Sequence, residues 1–298
     1  DEFWNNWMIQ KEFKKIKYKS NMEVQLEDMP NWNASQMKEI SKITNVFFLI
    51  KRILNKAKKH FYWIYIKKAK RNYKLISEIK YIIRTYFYTK FILSKKLYDI
   101  NFLDKKKFIF FPLHVEPERN LQGNSPEFFN QHAALIDLSI NLPSDTYLVV
   151  KEHLPAAGVR SKTFYNQLLL DYPNIIFVNA SIKGIDLIKK SLAVATINGT
   201  AGLEASIIGK PVISFGLNNP YNFLSHVFVV DDQKKIKDIV QIIVNKKILI
   251  KKSIKDGQRF VEALKKISVD LPNYSTINTK FSEKDIKKCY EKLVETLI

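Results

Sequence analysis

The sequence predicts an α/β protein with a doubly wound parallel sheet, preceded by a basic helical region. From residue 108 onward, short apolar runs rich in β-branched and aromatic residues alternate with stretches of helical character. Within that part, residues 192–216 show the order strand, glycine-containing turn, short helix and strand. Residues 46–98 contain no glycine or proline, and apolar residues from Ile76 to Tyr86 recur at helical spacing.

The charge distribution divides the chain into two regions, and the cysteine content indicates its cellular compartment. The net charge is +20, and residues 1–107 hold 25 Lys and Arg against 10 Asp and Glu, whereas residues 108–298 hold 24 against 19. We therefore expect a basic, mainly helical region up to residue 107 and an α/β domain over 108–298 that ends in helices. A single cysteine, Cys289, fits a reducing, cytoplasmic compartment. We expect neither a signal peptide nor a transmembrane helix, since no apolar run reaches about 18 residues.

The order of the predicted elements can be given residue by residue. Strands are predicted at 108–112, 146–151, 175–178, 192–197, 212–215 and 227–230. Helices are predicted at 127–140, 161–171, 182–191 and 234–245, and in two pieces of 250–298 separated by Pro272. Residues 1–45 are predicted to be irregular up to a helix that begins near Gln36. Asn198 or Thr200 is expected to cap the helix of the 192–216 unit, and Gly209 is expected at its C′ position.

The basic stretch 46–98 has three interpretations. It can be a helical hairpin packed on the rest of the fold, with a solvated basic face. It can be a surface helix pair that contacts anionic lipid or a polyanionic polymer. Nucleic-acid binding is the least expected, because the sequence has no zinc finger or RRM signature.

Polar side chains follow three of the predicted strands and are expected to meet, because ligands of such sheets bind outside the carboxyl ends of the strands. The first loop carries His114, Glu116 and Glu118, the second Lys151, Glu152 and His153, and the third Asn198, Gly199, Thr200 and Glu204. Carboxylates, imidazoles and a helix N-terminus that accepts phosphate suit transfer of a group from a nucleotide donor.

Each of these features also has a purely structural interpretation. Loop glutamates are commonly solvated, and a histidine at a strand end can simply complete a hydrogen-bond network. Glycines permit turns and close packing, and a glutamate near a helix start is favoured by the macrodipole. The sequence has no GxGxxG, Walker lysine motif or metal-ligand cluster. The residues alone therefore indicate an α/β domain for a nucleotide ligand.

Three segments, at 110–120, 149–156 and 196–216, resemble the bacterial capsule polysaccharide biosynthesis family. That family includes retaining β-Kdo transferases, which have a GT-B fold and use CMP-activated Kdo. Its PLH-x-EPE and GT-x-G-x-EA motifs match Pro112–Glu118 and Gly199–Ala205. Its K-x-HP motif matches Lys151–His153, but here Leu154 separates the histidine from the proline.

The resemblance implies a GT-B-like fold whose Rossmann-like donor domain lies in this chain. It implies that the helix start binds the donor phosphate, that Glu204 binds ribose hydroxyls, and that Lys151 and His153 hold phosphate or the donor carboxylate. The implied donor-binding residues are Lys151, His153, Asn198, Gly199, Thr200, Ala201, Gly202 and Glu204. The implied catalytic residues are His114, Glu116 and Glu118, one glutamate acting as acid/base or nucleophile. Neither a metal nor a cofactor besides the nucleotide-sugar donor is implied.

The resemblance therefore predicts a glycosyltransferase of bacterial surface polysaccharide biosynthesis. It would transfer a Kdo-like sugar from a CMP-activated donor to a glycan or glycolipid acceptor, at the inner face of the cytoplasmic membrane. One departure matters: GT-B enzymes have two Rossmann-like domains, and this chain shows one, so the acceptor domain is either absent from it or replaced. The alternatives are a UDP-sugar-dependent GT-B enzyme and a non-catalytic subunit of a polysaccharide assembly or export complex.

Overall fold

The computed structural model describes residues 2–17, 38, 40–66, 75–94, 97–116, 125, 128, 130–153, 156, 160–245, 250–269 and 282–297. Its core is one sheet of six parallel strands in the order β3-β2-β1-β4-β5-β6. The strands are β1 (Lys107–Pro112), β2 (Thr146–Lys151), β3 (Ile175–Val178), β4 (Ala193–Thr196), β5 (Val212–Ser214) and β6 (Val227–Val229). This sheet confirms the predicted fold class.

Helices cover both faces of the sheet and extend the chain at its two ends. The labelled helices are α1 (Glu2–Lys15), α2 (Val46–Phe61), α3 (Leu75–Ile92), α4 (Gln131–Asn141), α5 (Lys162–Asp171), α6 (Gly184–Lys190), α7 (Thr200–Ile207), α8 (Ile236–Val244), α9 (Ile250–Ile267) and α10 (Glu283–Leu297). A π-helical turn, Tyr62–Ile66, continues α2, and 3-10 turns lie at Ile100–Leu103 and Gln233–Lys235. The predicted elements of 108–298 are confirmed, with ends shifted by a few residues.

Strand β1 shows why the sheet needs helices on both faces. Its side chains alternate, so that Ile109 and Phe111 join one buried cluster while Phe108 and Phe110 join the other. The first cluster also contains buried residues of α4, α5 and α8, and the second contains residues of α6, α7 and α9. The apolar stretch of β1, residues 108–111, is therefore buried on both sides, as parallel sheets require.

The order of the strands creates a crevice between β1 and β4. From β1 the chain winds outward to β2 and β3, then crosses back to β4 and winds outward in the other direction to β5 and β6. The loops that leave β1 and β4 therefore diverge to opposite faces at this point. This is the topological switch point at which doubly wound sheets bind ligands.

Helix α7 ends as predicted but begins differently. At its C-terminus Gly209 has φ of 73°, and the N–H groups of Gly209 and Lys210 donate to the carbonyls of Ser206 and Ala205, which is a Schellman motif. At its N-terminus the cap residue is Gly199, with no hydrogen bond from a side chain. The expectation that Asn198 or Thr200 caps this helix was wrong.

The N-terminal segment was predicted to be irregular, and this was wrong for residues 2–15. They form α1, which packs against α9 and places Ile9 and Ile16 in the second buried cluster. Arg259 of α9 donates to the carbonyl oxygens of Phe13 and Ile16 at 2.8 Å each, and so caps the C-terminus of α1. The predicted helix start near Gln36 lies outside the described residues.

Helices α2 and α3 form the predicted hairpin, joined across it by an ion pair between Lys56 and Glu78 at 3.2 Å. The chain after α3 returns to the sheet, where Tyr98 forms a bridge to Val178 at the edge of β3. Ile92 and Leu103 are buried in the two clusters of the α/β part. Structural contact with the sheet therefore begins before residue 107, at the end of the hairpin.

Candidate functional site

The loops after β1 and β4 meet at the switch point. The Nε2 atom of His114 lies 3.3 Å from the Oγ1 atom of Thr196, and that hydroxyl accepts a hydrogen bond from the Gly199 N–H at 3.1 Å. His114 and Thr196 are both buried. The first and third of the predicted loops are therefore brought together around this contact.

The start of α7 is left open for a ligand. Asn198 does not cap it, because its side chain contacts the hydroxyl of the buried Ser125 at 3.2 Å. Thr200 is exposed, and Gly199 contributes no side chain. Helices whose first N–H groups lack a side-chain cap offer these donors, together with the positive end of the helix dipole, to an anion.

The two residues that follow Thr200 in α7 pack against the interior of the protein. Ala201 is half-buried in the second cluster, and Gly202 is buried against the Tyr221 ring and the Thr196 side chain. The Tyr221 hydroxyl lies 3.4 Å from the Gly199 carbonyl oxygen. Tyr221 thus packs against the start of the helix, where no side chain caps the first N–H groups.

Lys151 and Glu204 form an electrostatic pair beside this helix start. Burial lowers the pKa of Lys151 to about 8, although the carboxylates of Glu152 and Glu204 oppose that shift. Burial likewise raises the pKa of Glu204, and Lys151 opposes it. Lys151 of the second predicted loop and Glu204 of the third are therefore close enough for each charge to oppose the effect of burial on the other.

His153 lies on the second loop, and its side chain is only partly open to solvent. Desolvation lowers its pKa to about 4, and the charges of Lys151 and Arg160 add to this effect. At neutral pH it is therefore an uncharged imidazole. The positive charges next to it come from Lys151 and Arg160.

Arg160 joins the first and second loops and was not predicted as a site residue. Its guanidinium pairs with Glu116, donates from Nε to Glu152 at 3.0 Å, and donates from Nη2 to the His114 carbonyl oxygen at 2.6 Å. Burial alone would lower the pKa of Arg160, but the carboxylates of Glu152 and Glu116 raise it. The signal available in the sequence was a lone arginine within the apolar loop that follows Glu152 and His153.

Further hydrogen bonds complete this network, which we call the Arg160 cluster: Arg160, Glu116, Glu152, Tyr165 and Gln131. Tyr165 donates its hydroxyl to Glu152, and the Gln131 side chain bonds both the N–H and the carbonyl of His114, at 2.6 and 3.0 Å. The backbone N–H of Gln131 donates to Glu116 at 2.9 Å. The loop after β1 is thus held at its backbone and at its first glutamate.

The predicted catalytic residues are placed as follows. His114 is buried and contacts Thr196, and both carboxylate oxygens of Glu116 accept hydrogen bonds. Glu118 lies outside the described residues. Among the residues that the structure describes, no group of three or more His, Cys, Asp or Glu side chains could hold a metal ion.

The buried state of His114 predicts a loss of stability in mild acid. Burial, with the charges of His153 and Arg160, lowers its pKa from 6.5 to about 4. Below pH 6.5 the unfolded chain binds a proton that the folded protein excludes, so the free energy of unfolding falls as the pH falls towards about 4. We expect His114 to account for a loss of about 3 kcal/mol over that window.

Urea unfolding of the wild type and the His114→Asn variant at a series of pH values measures this contribution. The variant should show a shallower decline of unfolding free energy between neutral pH and pH 4. Parallel curves for the two proteins would show that His114 is not the responsible group.

The fold and the site together define a class: a doubly wound α/β domain with an uncapped helix start at its switch point and a half-buried lysine and glutamate nearby. The profile of the family described as capsule polysaccharide biosynthesis protein matches residues 26–224. This match spans more than half of the chain, and the chain belongs to that family.

Individual relatives are more distant. Protein FixF of Sinorhizobium fredii (strain NBRC 101917 / NGR234) is 28% identical over 132 residues, which are 43% of this chain and 31% of the relative. The KpsC β-Kdo 2,4 transferase of Thermosulfurimonas dismutans aligns over 61% of this chain and 57% of its own, at 12% identity and a TM-score of 0.35. A putative UDP-N-acetylglucosamine 2-epimerase of Listeria monocytogenes aligns over 62% and 50%, at 15% identity and a TM-score of 0.37. The chain spans about a third of the length of the relative and roughly half of these two solved chains.

Proposed function

We propose that this chain contains the donor-binding part of a glycosyltransferase of bacterial surface polysaccharide biosynthesis, using a CMP-activated, Kdo-like sugar and a glycan or glycolipid acceptor. The observation that carries the proposal is the uncapped start of α7 at the switch point, with Lys151 and Glu204 beside it. Membership of the capsule polysaccharide biosynthesis family also supports this proposed function.

The described residues suggest how a nucleotide-sugar donor would be held. The first N–H groups of α7, at Thr200 and Ala201, would bind the phosphate, and Lys151 would supply the neutralising charge. Glu204, one turn into the helix, would accept hydrogen bonds from ribose hydroxyls. His153 would contribute a neutral hydrogen bond at the rim, since its pKa is lowered to about 4.

The reacting end of the donor would face the loop after β1. Glycosyl transfer through an oxocarbenium-like state requires a carboxylate near the anomeric carbon and an acid/base group at the oxygen. Glu116 is fixed by Arg160 and by the Gln131 N–H, which suits a carboxylate that remains an anion. We assign the stabilising or nucleophilic role to Glu116 and the acid/base role to Glu118, with His114 positioning the first loop.

Calorimetric titration with CMP tests the donor site. The Glu204→Ala variant should bind CMP about tenfold more weakly, a difference of about 1.4 kcal/mol, because it removes the ribose acceptor and unbalances Lys151. Glu262 on α9 is half-exposed and paired with Lys265, and the Glu262→Ala variant is the matched control that should bind CMP like the wild type.

The same titration separates the alternatives. Absence of binding to every cytidine and uridine nucleotide would overturn the donor site, whereas displacement of CMP by UDP with equal strength would favour a UDP-sugar donor. Release of nucleotide from a panel of activated sugars, lost in Glu116→Gln and Glu118→Gln, would support an enzyme. Nucleotide binding without turnover, unchanged in both variants, would instead identify a non-catalytic subunit of an assembly or export complex.

We also propose that the protein works at the cytoplasmic face of the membrane, in peripheral contact with anionic lipid through its basic helical region. The excess of Lys and Arg in residues 1–107 supports this placement. Among the described helices, none is both long and apolar enough to cross a bilayer.

A further inference from the structure

Helix α2 exposes an apolar stripe that the rest of the described structure leaves uncovered. Phe47, Ile50, Leu54 and Phe61 are 79%, 50%, 54% and 54% exposed, and α2 has no buried residue. Their spacings of three, four and seven residues place them within about 60° of one another around the helix axis. Such side chains form a single line along the outer surface of the hairpin, which we call the α2 stripe.

The charges of α2 are arranged around this stripe. Lys51 and Lys58 are exposed and fall within about 60° of Leu54, so they border the stripe along one side. Arg52 and Lys59 fall roughly 140–160° away from Leu54, on the opposite side of the helix. That far side borders the depression between α2 and α3, where Lys56 is already paired with Glu78.

The overall charge of the hairpin restricts what can cover the stripe. Residues 46–98 contain 15 Lys and Arg but a single acid, Glu78. A second copy of this chain would bring two such basic surfaces together and be repelled. A soluble polyanion would satisfy the lysines and leave the apolar side chains in water. An anionic bilayer satisfies both, because acyl chains accept the stripe while lipid phosphates meet the lysines at the boundary.

We propose that α2 lies in the surface plane of an anionic bilayer, with the α2 stripe inserted among the acyl chains and Lys51 and Lys58 on the lipid phosphates. The inference rests on the peripheral membrane contact proposed above, and it names the face and residues that make the contact. It does not depend on the donor nucleotide. Helix α3 also exposes Ile76, Ile83 and Phe87 among Lys80, Arg84 and Lys90.

Co-sedimentation of the full chain with lipid vesicles tests the proposal. The vesicles are phosphatidylcholine alone and phosphatidylcholine mixed with phosphatidylserine. The wild type should bind the mixed vesicles and bind neutral vesicles much more weakly. The Phe47→Ser/Leu54→Ser variant should lose at least tenfold in binding to mixed vesicles. Insertion of Phe47 and Leu54 into the bilayer removes their apolar surface from water, and serine does not make this favourable contribution. Both positions are exposed, so the fold should be unaffected.

Two double variants with the same change of charge distinguish the faces of α2. Lys51→Gln/Lys58→Gln should weaken binding about fivefold for each charge removed. The matched control, Arg52→Gln/Lys59→Gln, should lose less than fivefold in total. Arg52 and Lys59 lie on the side of α2 that faces away from the bilayer, so their charges are about one helix diameter further from the lipid phosphates. That distance is comparable to the Debye screening length of about 8 Å.

Three results would overturn the proposal. If both charge variants lose vesicle binding equally and the serine variant binds like the wild type, the protein is attracted to the vesicles by its overall charge and not through the α2 stripe. Heparin that displaces the vesicles while the serine variant still binds would indicate a polyanionic glycan. A dimer in sedimentation velocity that the serine variant abolishes would indicate a second copy of the chain. Calorimetry with CMP on the same preparations keeps the two proposals apart, since failure of vesicle binding with intact nucleotide binding rejects this one alone.

Discussion

Replacement of Arg160 by methionine is expected to reduce the free energy of unfolding by roughly 3–5 kcal/mol, because it leaves buried carboxylates without their cation. The Glu152 side chain is 2% exposed and would keep only its bonds from Tyr165 and the His153 N–H. Glu116 would lose one of its two partners, and the His114 carbonyl oxygen would lose another. Chemical denaturation monitored by circular dichroism measures the change.

The exposed Arg84 on α3 offers a matched control, since its guanidinium lies over the Tyr81 ring at the surface. Arg84→Met should change the unfolding free energy by no more than about 0.5 kcal/mol. Adding Glu152→Gln to Arg160→Met should recover about 1 kcal/mol or more, because it removes one uncompensated charge. If Arg160→Met is no more destabilising than Arg84→Met, the Arg160 cluster does not hold the loops together.

Replacement of Gly199 by alanine is expected to weaken CMP binding at least tenfold and to destabilise the fold by about 1–3 kcal/mol. A Cβ atom at this position would lie 2.7 Å from Thr196 Oγ1 and 2.9 Å from His114 Cε1. His114 cannot move away easily, because Gln131 holds its backbone on both sides. The start of α7 must therefore shift, and its N–H groups move with it. Calorimetry with CMP and thermal unfolding report the two effects.

Gly184 provides the control for this substitution. It is the first residue of α6, and a Cβ atom there would meet no atom within 4 Å. Gly184→Ala should leave nucleotide binding unchanged and stabilise the protein by up to about 1 kcal/mol. Wild-type affinity for CMP in Gly199→Ala would show that the nucleotide binds elsewhere in the molecule.

The strands of the sheet were predictable because each is a short, continuous apolar run. Thr146–Lys151 and Ile175–Val178 agree with the prediction residue for residue. Burial on both faces removes the alternation of polar residues, and the remaining run is easily recognised. Helix α1 was not predictable in the same way, because its apolar residues are scattered among charges. Their burial depends on α9, which lies more than 230 residues further along the chain.

The candidate site was likewise predictable only in part. His114, Lys151 and the loop from Asn198 to Glu204 were singled out because parallel strands end at one edge, and the structure brings them together there. The helix cap was wrongly predicted because Asn198 has a competing partner, Ser125, which is 73 residues away in the sequence. Local propensity could not reveal that competition.

The class and order of the elements, the loops at the carboxyl edge and the concentration of positive charge before the sheet are all predictable from the amino-acid sequence. These depend on periodicity, apolar runs and composition, which act between residues close in the chain. Three features emerge only in the folded protein: the pairing of Glu116 with Arg160, the start of α7 without a side-chain cap, and the uncovered face of α2. Ion pairs, burial and competition for hydrogen bonds depend on distances in space, and these distances are set only once the sheet has brought remote residues together.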